Sequence, residues 1–219
     1  MATTPQPPEH AAYNAANPDD DAIALRAALR REKIAAREAL PPAEHSRLSA
    51  LLDGHLEQEF AARAPALVAF CWPIRGEFDA RPLVGRLLAR GWRAAMPTVL
   101  DRDAPMVFRP WTPQTPMCDD PYGIPVPCGG ETCAPPDVVL LPLVAFDAHG
   151  FRLGYGGGYF DRTLAALVPR PTTFGVGFEL ARTTNLHPQT HDIPLDVIAT
   201  EVGLMRTSFQ GCGAVAELD

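Results

Sequence analysis

The sequence predicts a single α/β domain: a largely parallel sheet covered by helices on both faces. Three observations predict it. Helical patterns alternate with short apolar runs such as ALVAFC at 66–71, as expected of strands buried on both sides. The 219 residues amount to about one and a half average domains. Hydrophobic residues make up 47% and charged residues 21%, the balance of a folded globular chain.

The elements follow in order. Residues 1–20, with four prolines and mostly small or polar side chains, are expected to form a disordered tail. The domain proper is expected at 21–207, with a second tail at 208–219. From Asp21 to Leu40 there is neither Gly nor Pro, and Asp19, Asp20 and Asp21 sit at the dipole-favoured start, so this is the first helix. Pro41 and Pro42 end it. A second helix over 43–63 carries Leu48, Leu51, Leu52, Leu56 and Phe60 at three- and four-residue spacing. The ALVAFC strand and the loop WPIRGE lead to a third helix, with Asp79 as its cap, Pro82 in its first turn and Gly91 at its end. Strands are expected at 93–99, 106–111 and 137–146, and the eight prolines and three glycines of 110–136 predict irregular chain between them. A helix over 159–168, stopped by Pro169, and strands at 172–178, 196–201 and 203–206 complete the domain.

Charge narrows the function. Nineteen basic against 26 acidic residues give a net charge of −7, and a general nucleic-acid binder would show a basic surplus. All but one of the basic residues are arginine, so Lys33 is the only candidate for a Schiff-base or Walker lysine, and it lies in no such motif. A polyphosphate here must be held by arginine, backbone N–H and metal. No run of 18 apolar residues is present, which excludes a membrane-spanning helix, and the first residues lack a secretory signal pattern, so a cytoplasmic location is expected. The five cysteines (71, 118, 128, 133, 212) form no CxxC pair, and free thiols are expected.

The densest motif is GFRLGYGGGYFDR at 150–162. Glycine admits positive φ and leaves the backbone open to a ligand. Between a buried strand and a helix, such a loop aims successive N–H groups and a helix N-terminus at one anion. Arg152 and Arg162 flank it, and arginine grips phosphate bidentately. Asp161, where the loop enters the helix, suits Mg²⁺, which takes one or two carboxylates beside phosphate and water; Asp196, at the start of a strand, is the candidate second acid. Arg26, Arg30, Lys33 and Arg37 line one face of the first helix. Such a stripe is usually solvated, yet its uniform sign on an acidic chain points its N-terminal members toward phosphate. His187 and His191 are spaced for zinc on a helix, but Pro188 between them argues against one. Asp147 is placed to brace the glycine turn. Trp72, Trp92 and Trp111 are expected to pack in the core.

With these residues placed, the sequence resembles the 5-formyltetrahydrofolate cyclo-ligase (5,10-methenyltetrahydrofolate synthetase) family. LLPLVAFDAHGFRLGYGGGYFDRTL (140–164) carries the likeness, with LRAALR, WPIRGEFDA, GIPVP and HDIPLDVIATE in matching order across roughly 22–206. The resemblance implies an enzyme that uses ATP and Mg²⁺ to turn 5-formyltetrahydrofolate into 5,10-methenyltetrahydrofolate, ADP and phosphate, through phosphorylation of the formyl oxygen. It implies ATP contacts from Arg26, Arg30, Arg152 and the loop Gly154, Tyr155, Gly156, Gly157, Gly158, Tyr159 and Phe160. It further implies folate contacts from Glu77, Tyr122, Tyr155 and Tyr159, catalytic roles for Arg152 and Tyr159, and metal binding by Asp161 and Asp196. The departures are Arg26 where the family often has lysine, Phe160 where it commonly has a second tyrosine, and Val126 where it often has a polar residue. The expected partners are these small molecules alone, with no nucleic acid or membrane, acting on a monomer or weak dimer. Two alternatives stand: an ATP-independent relative of sugar-phosphate isomerases or CoA-transferases, and a nucleotide- or folate-binding module without turnover.

Overall fold

Seven strands form one sheet in a computed structural model that describes residues 18–207. The chain begins with helices α1 (Pro18–Glu38) and α2 (Pro42–Ala61), then β1 (Leu67–Ala69), α3 (Arg81–Ala89), β2 (Arg93–Thr98) and β3 (Val107–Pro110). A hairpin of β4 (Met117–Asp119) and β5 (Pro125–Pro127) leads to β6 (Val138–Pro142), and a second hairpin pairs β7 (Ala145–Phe146) with β8 (Arg152–Leu153). Helix α4 (Tyr159–Ala166), β9 (Thr172–Val176), a 3-10 turn (Glu179–Ala181), β10 (Val197–Thr200) and β11 (Gly203–Arg206) follow. Because α1 starts at Pro18, the last residues of the expected tail are helical; the rest of that tail and 208–219 lie outside the described residues.

The strand order is β11-β10-β9-β6-β1-β2-β3. The interior pairs are parallel and only the edge strands β3 and β11 run antiparallel, as the buried apolar runs predict. The two-residue period sorts the core. Val68, Ala94, Met96, Leu140 and Phe174 share one cluster with Leu52, Leu56 and Phe60 of α2 and Leu83 and Leu87 of α3. Leu67, Ala69, Ala95, Val139 and Leu141 share the other with Leu164 of α4. Each fully buried leucine or phenylalanine contributes roughly 1.5–3 kcal/mol over its exposed state. Of the α2 positions named from spacing, only Leu51 faces solvent.

Three expectations change. The segment 137–146 is two strands: β6 ends at Pro142, and the remainder turns out of the sheet to pair with β8. The segment 110–136 is not irregular throughout but contains the β4–β5 hairpin. Its bonded positions are marked by Asp120 N–H to Ile124 O and Cys128 N–H to Pro116 O. Pro125 and Pro127 alternate with these, so their missing N–H groups break no ladder bond. The same register sets the Cα atoms of Cys118 and Cys128 5.0 Å apart, and the two form a disulfide, against the free-thiol expectation. Cys71 and Cys133 are free, and Cys212 lies outside the described residues.

Candidate active site

From β1 the chain passes through α3 to β2 and β3 at one edge, then returns to lay β6 on the other side of β1. At such a reversal the connections leave in opposite directions, and a crevice opens at the carboxyl ends of the strands. Here it is lined by Phe70, Cys71, Glu77, Leu140, Pro142 and Val176. Glu77 is the only carboxylate on that wall and is 7% exposed. Its Oε2 accepts the Ile74 N–H at 3.0 Å and its Oε1 accepts the Tyr155 hydroxyl at 2.7 Å, with the Arg37 guanidinium at 3.6 Å. Burial pushes its pKa above the usual glutamate value, against the pull of Tyr155, the Ile74 amide and Arg37.

The glycine loop arises on the β7–β8 hairpin. Asp147, fully buried, braces the turn by accepting the N–H groups of His149 and Phe151. Gly156 has φ +100°, and a Cβ there would lie 3.6 Å from the Arg30 guanidinium; Gly158 caps α4 in the left-handed region at φ +65°. The consequence is electrostatic. From Tyr155 to Asp161 no backbone N–H donates to any group among the described residues. The last three of these donors are the first turn of α4 itself.

Arginines close the loop. Arg30 Nε donates to Gly154 O at 2.8 Å. Arg152, 7% exposed, donates to Ile193 O and stands 3.2 Å from Asp161 Oδ1. Burial lowers the Arg152 pKa, and the negative charges of Asp161 and Asp192 oppose that. The stripe on α1 is not solvated. Arg26 donates to His187 O and to Asp192, Lys33 to Leu180 O, and Arg37 to Leu143 O, Arg75 O and the Tyr155 hydroxyl. It belongs to the inward face of the helix, where its cations meet carbonyls beside the buried Ile34.

On the loop's outer side the Tyr159 and Tyr122 hydroxyls meet at 2.6 Å, and Arg162 covers the Tyr159 ring at 4.9 Å while donating to Gly157 O. Phe160 lies 5.8 Å from the Arg152 guanidinium and has no hydroxyl to add. The structure therefore brings together Arg26, Arg30, Arg152, the 154–160 loop and Asp161, joins Glu77 to Tyr155, and joins Tyr122 to Tyr159.

Asp196 stands apart from this group. Its Oδ2 accepts the N–H and hydroxyl of Thr173, and its Oδ1 lies 3.4 Å from Arg170. It ties the start of β10 to the start of β9, as Asp137 does for β6 and β1 by accepting the Leu67 N–H at 2.8 Å. The acid facing the arginines is Asp192, four residues earlier, which sequence reasoning missed. Its carboxylate takes both Arg26 nitrogens and the Gln189 N–H. Burial works to raise its pKa, but Arg26 and that amide outweigh it and hold Asp192 below the usual aspartate value. One signal separates the two acids: Asp196, like Asp137, immediately precedes a run of four buried strand residues, the position from which a carboxylate caps a neighbouring strand.

The model of the 5-formyltetrahydrofolate cyclo-ligase family matches residues 22–201. The chain belongs to that family. The 5-formyltetrahydrofolate cyclo-ligase of Escherichia coli (strain K12) is 33% identical to this cyclo-ligase family member over 131 residues, 57% of this chain and 72% of that one. The enzyme of the same name from Mycolicibacterium smegmatis is 26% identical over 184 residues, covering 80% and 91%. In structure the chain is similar to Aquifex aeolicus 5,10-methenyltetrahydrofolate synthetase, with a TM-score of 0.72, 30% identity and coverage of 84% and 93%. The family match falls within the 22–206 span of the sequence resemblance. Among the described residues no helix is long and apolar enough to cross a membrane.

Proposed function

We propose that this chain converts 5-formyltetrahydrofolate into 5,10-methenyltetrahydrofolate, consuming ATP in the presence of Mg²⁺ and releasing ADP and phosphate. The observation that carries this reading is the unbonded amide run from Tyr155 to Asp161, flanked by Arg30 and Arg152. It supports a triphosphate site that needs no lysine. Beside it, the Glu77 carboxylate offers an acceptor for a ligand's N–H donors, and the exposed Tyr122 ring offers a stacking face.

In this reading Arg26, Arg30 and the loop Gly154–Phe160 hold the nucleotide, and Glu77, Tyr122, Tyr155 and Tyr159 hold the folate. The formyl oxygen attacks the γ-phosphorus, the bond to the β-phosphate oxygen breaks, and ADP leaves. The folate's own N10 then attacks the activated formyl carbon and gives up its proton to the departing phosphate, which leaves with the former formyl oxygen and closes the ring. Such a transfer is governed by positioning and charge neutralisation. Arg152 meets the charge on the transferred group, and Tyr159, hydrogen-bonded to Tyr122, closes the outer side.

The donor set fits a hard cation. Asp161 Oδ2 has no hydrogen-bond partner among the described residues, and Asp192, paired with Arg26, lies within electrostatic reach of the Arg152 that Asp161 faces. No three His, Cys, Asp or Glu side chains converge among the described residues, and Mg²⁺ shared with phosphates needs only one or two carboxylates. We assign Asp161 and Asp192, in place of Asp196, to hold it. When bound, Mg²⁺ neutralises phosphate charge. The acidic balance supports a protein with no nucleic-acid partner, and we place it in the cytoplasm as a monomer or weak dimer.

The test mixes purified protein with 5-formyltetrahydrofolate and follows methenyl-folate absorbance with and without ATP and Mg²⁺. Absorbance that grows only with both is the expected result. Growth without ATP would favour the ATP-independent enzyme class, and saturable binding without growth would favour a non-catalytic module.

A further inference from the structure

The guanidinium of Arg37 is the most fully engaged cation beside the crevice, yet the reaction described above gives it no task. It lies on α1 and is 5% exposed. Nε donates to Arg75 O at 2.9 Å, Nη1 to Leu143 O at 2.9 Å and Nη2 to the Tyr155 hydroxyl at 2.8 Å. The Tyr155 hydroxyl, having accepted from Arg37, donates onward to Glu77 Oε1 at 2.7 Å, and Arg37 Nη2 itself stands 3.6 Å from that oxygen. The three groups come from three separate segments: α1, the glycine loop, and the loop that follows β1.

We propose that Arg37 is a positioning residue, which holds the Glu77 carboxylate in place and, through Tyr155, ties the folate-facing loop to the nucleotide loop. The proposal rests on the reading of Glu77 as the folate-binding carboxylate. A carboxylate among Phe70, Leu140 and Val176 favours its neutral form. What faces it is a short set. Arg37 comes from α1 and Tyr155 from the glycine loop. Cys71 stands at the end of β1, its thiol pushed up by burial and hence neutral. Arg75, on Glu77's own loop, is turned outward to Glu38, and His45 of α2 bonds the Gly76 carbonyl. Among the described residues Arg37 is the one cation within 4 Å of Glu77. Its two carbonyl bonds fix the plane of the guanidinium, a constraint that the single ammonium of lysine does not reproduce.

The experiment measures kcat/KM for 5-formyltetrahydrofolate from pH 6 to 8.5 in the wild type and in Arg37→Met, Arg37→Lys, Tyr155→Phe and Glu77→Gln, with ATP KM recorded beside it. Arg37 favours the charged form of Glu77, so its loss extends the protonated form to higher pH. Arg37→Met is expected to move the acid limb of the folate profile upward, with a loss of about tenfold per pH unit below the new limb. Arg37→Lys should restore the limb in part. Superimposable acid limbs for Arg37→Met and the wild type would overturn the proposal, provided that Glu77→Gln still raises folate KM. If Glu77→Gln leaves folate KM unchanged, the folate role of Glu77 itself falls. Should Arg37→Met fail to melt cooperatively, Tyr155→Phe decides: the same upward displacement supports the link, and a profile identical to wild type overturns it.

Discussion

Arg152 is buried at 7% exposure, and the Ile193 carbonyl and Asp161 compensate its charge. A buried guanidinium held this way is poised for an additional anion, because its desolvation cost is already met in the folded state. Arg152→Ala is expected to weaken ATP use by about 1.5–3 kcal/mol, the size of a charge-assisted hydrogen bond, or roughly ten- to a hundredfold in ATP KM. Unchanged ATP kinetics would remove Arg152 from the site. Glu77 makes a pH prediction. Burial raises its pKa, so the acid limb of wild-type folate kcat/KM should lie above the ordinary glutamate value of about 4.3. A limb at or below that value would mean that Glu77 does not titrate in folate binding. At this scale the sequence was legible where residue type dictates local chemistry, in the glycines that admit positive φ and the arginines that gather beside them, whereas Glu77 came only from the family resemblance. It was not legible between Asp192 and Asp196. Both lie in HDIPLD, and which carboxylate faces the arginines depends on where β10 begins.

Elements show where local rules lose to tertiary context. Helix α2 was readable to within two residues because the spacing of Leu48, Leu52, Leu56 and Phe60 admits one packing face. Leu52→Ala, at 0% exposure, should cost about 2–5 kcal/mol in denaturant unfolding. A loss below 1 kcal/mol would show that the α2–sheet interface repacks freely. The β4–β5 hairpin escaped notice because its prolines suppress every strand signal, although they occupy the positions where the ladder needs no donor. Its disulfide closes a short loop, sequence separation 10, and reduction is expected to destabilise the protein by about 2–3 kcal/mol. Thermal melts with and without dithiothreitol would measure this, and equal melting temperatures would show that the cross-link adds nothing. The stripe on α1 differs from a solvated face in its environment. A row of cations reads as solvated unless the carbonyls awaiting it are known, and those carbonyls belong to residue 75 and to residues 143–187.

Across the whole molecule, alternating helices and apolar runs made the parallel sheet readable. The strand order was not, since nothing local says that β6 must return beside β1. That order places the crevice. The Arg26–Asp192 pair bridges the two ends of the described chain, 166 residues apart. Because the folded-state pKa of Asp192 is depressed, its contribution to stability is present above the unfolded aspartate value of about 3.9 and is lost as pH falls through the lower folded value. Asp192→Asn should therefore be less stable than wild type at pH 7, with the gap closing toward pH 3 in denaturant titrations. A gap independent of pH would mean that the pair is not electrostatic in origin. The same pair orders events in time. Helix α1 precedes every other described element on the ribosome, yet its partners at 187 and 192 are among the last to emerge. The N-terminal half of the helix must wait for these partners, while its C-terminal end can already meet the Arg75 loop, since contacts most distant in sequence form late. A nascent chain stalled before His187 would lack β10 and β11 as well as the partners of Arg26, so the last strands of the sheet and the closing of the nucleotide site would arrive together.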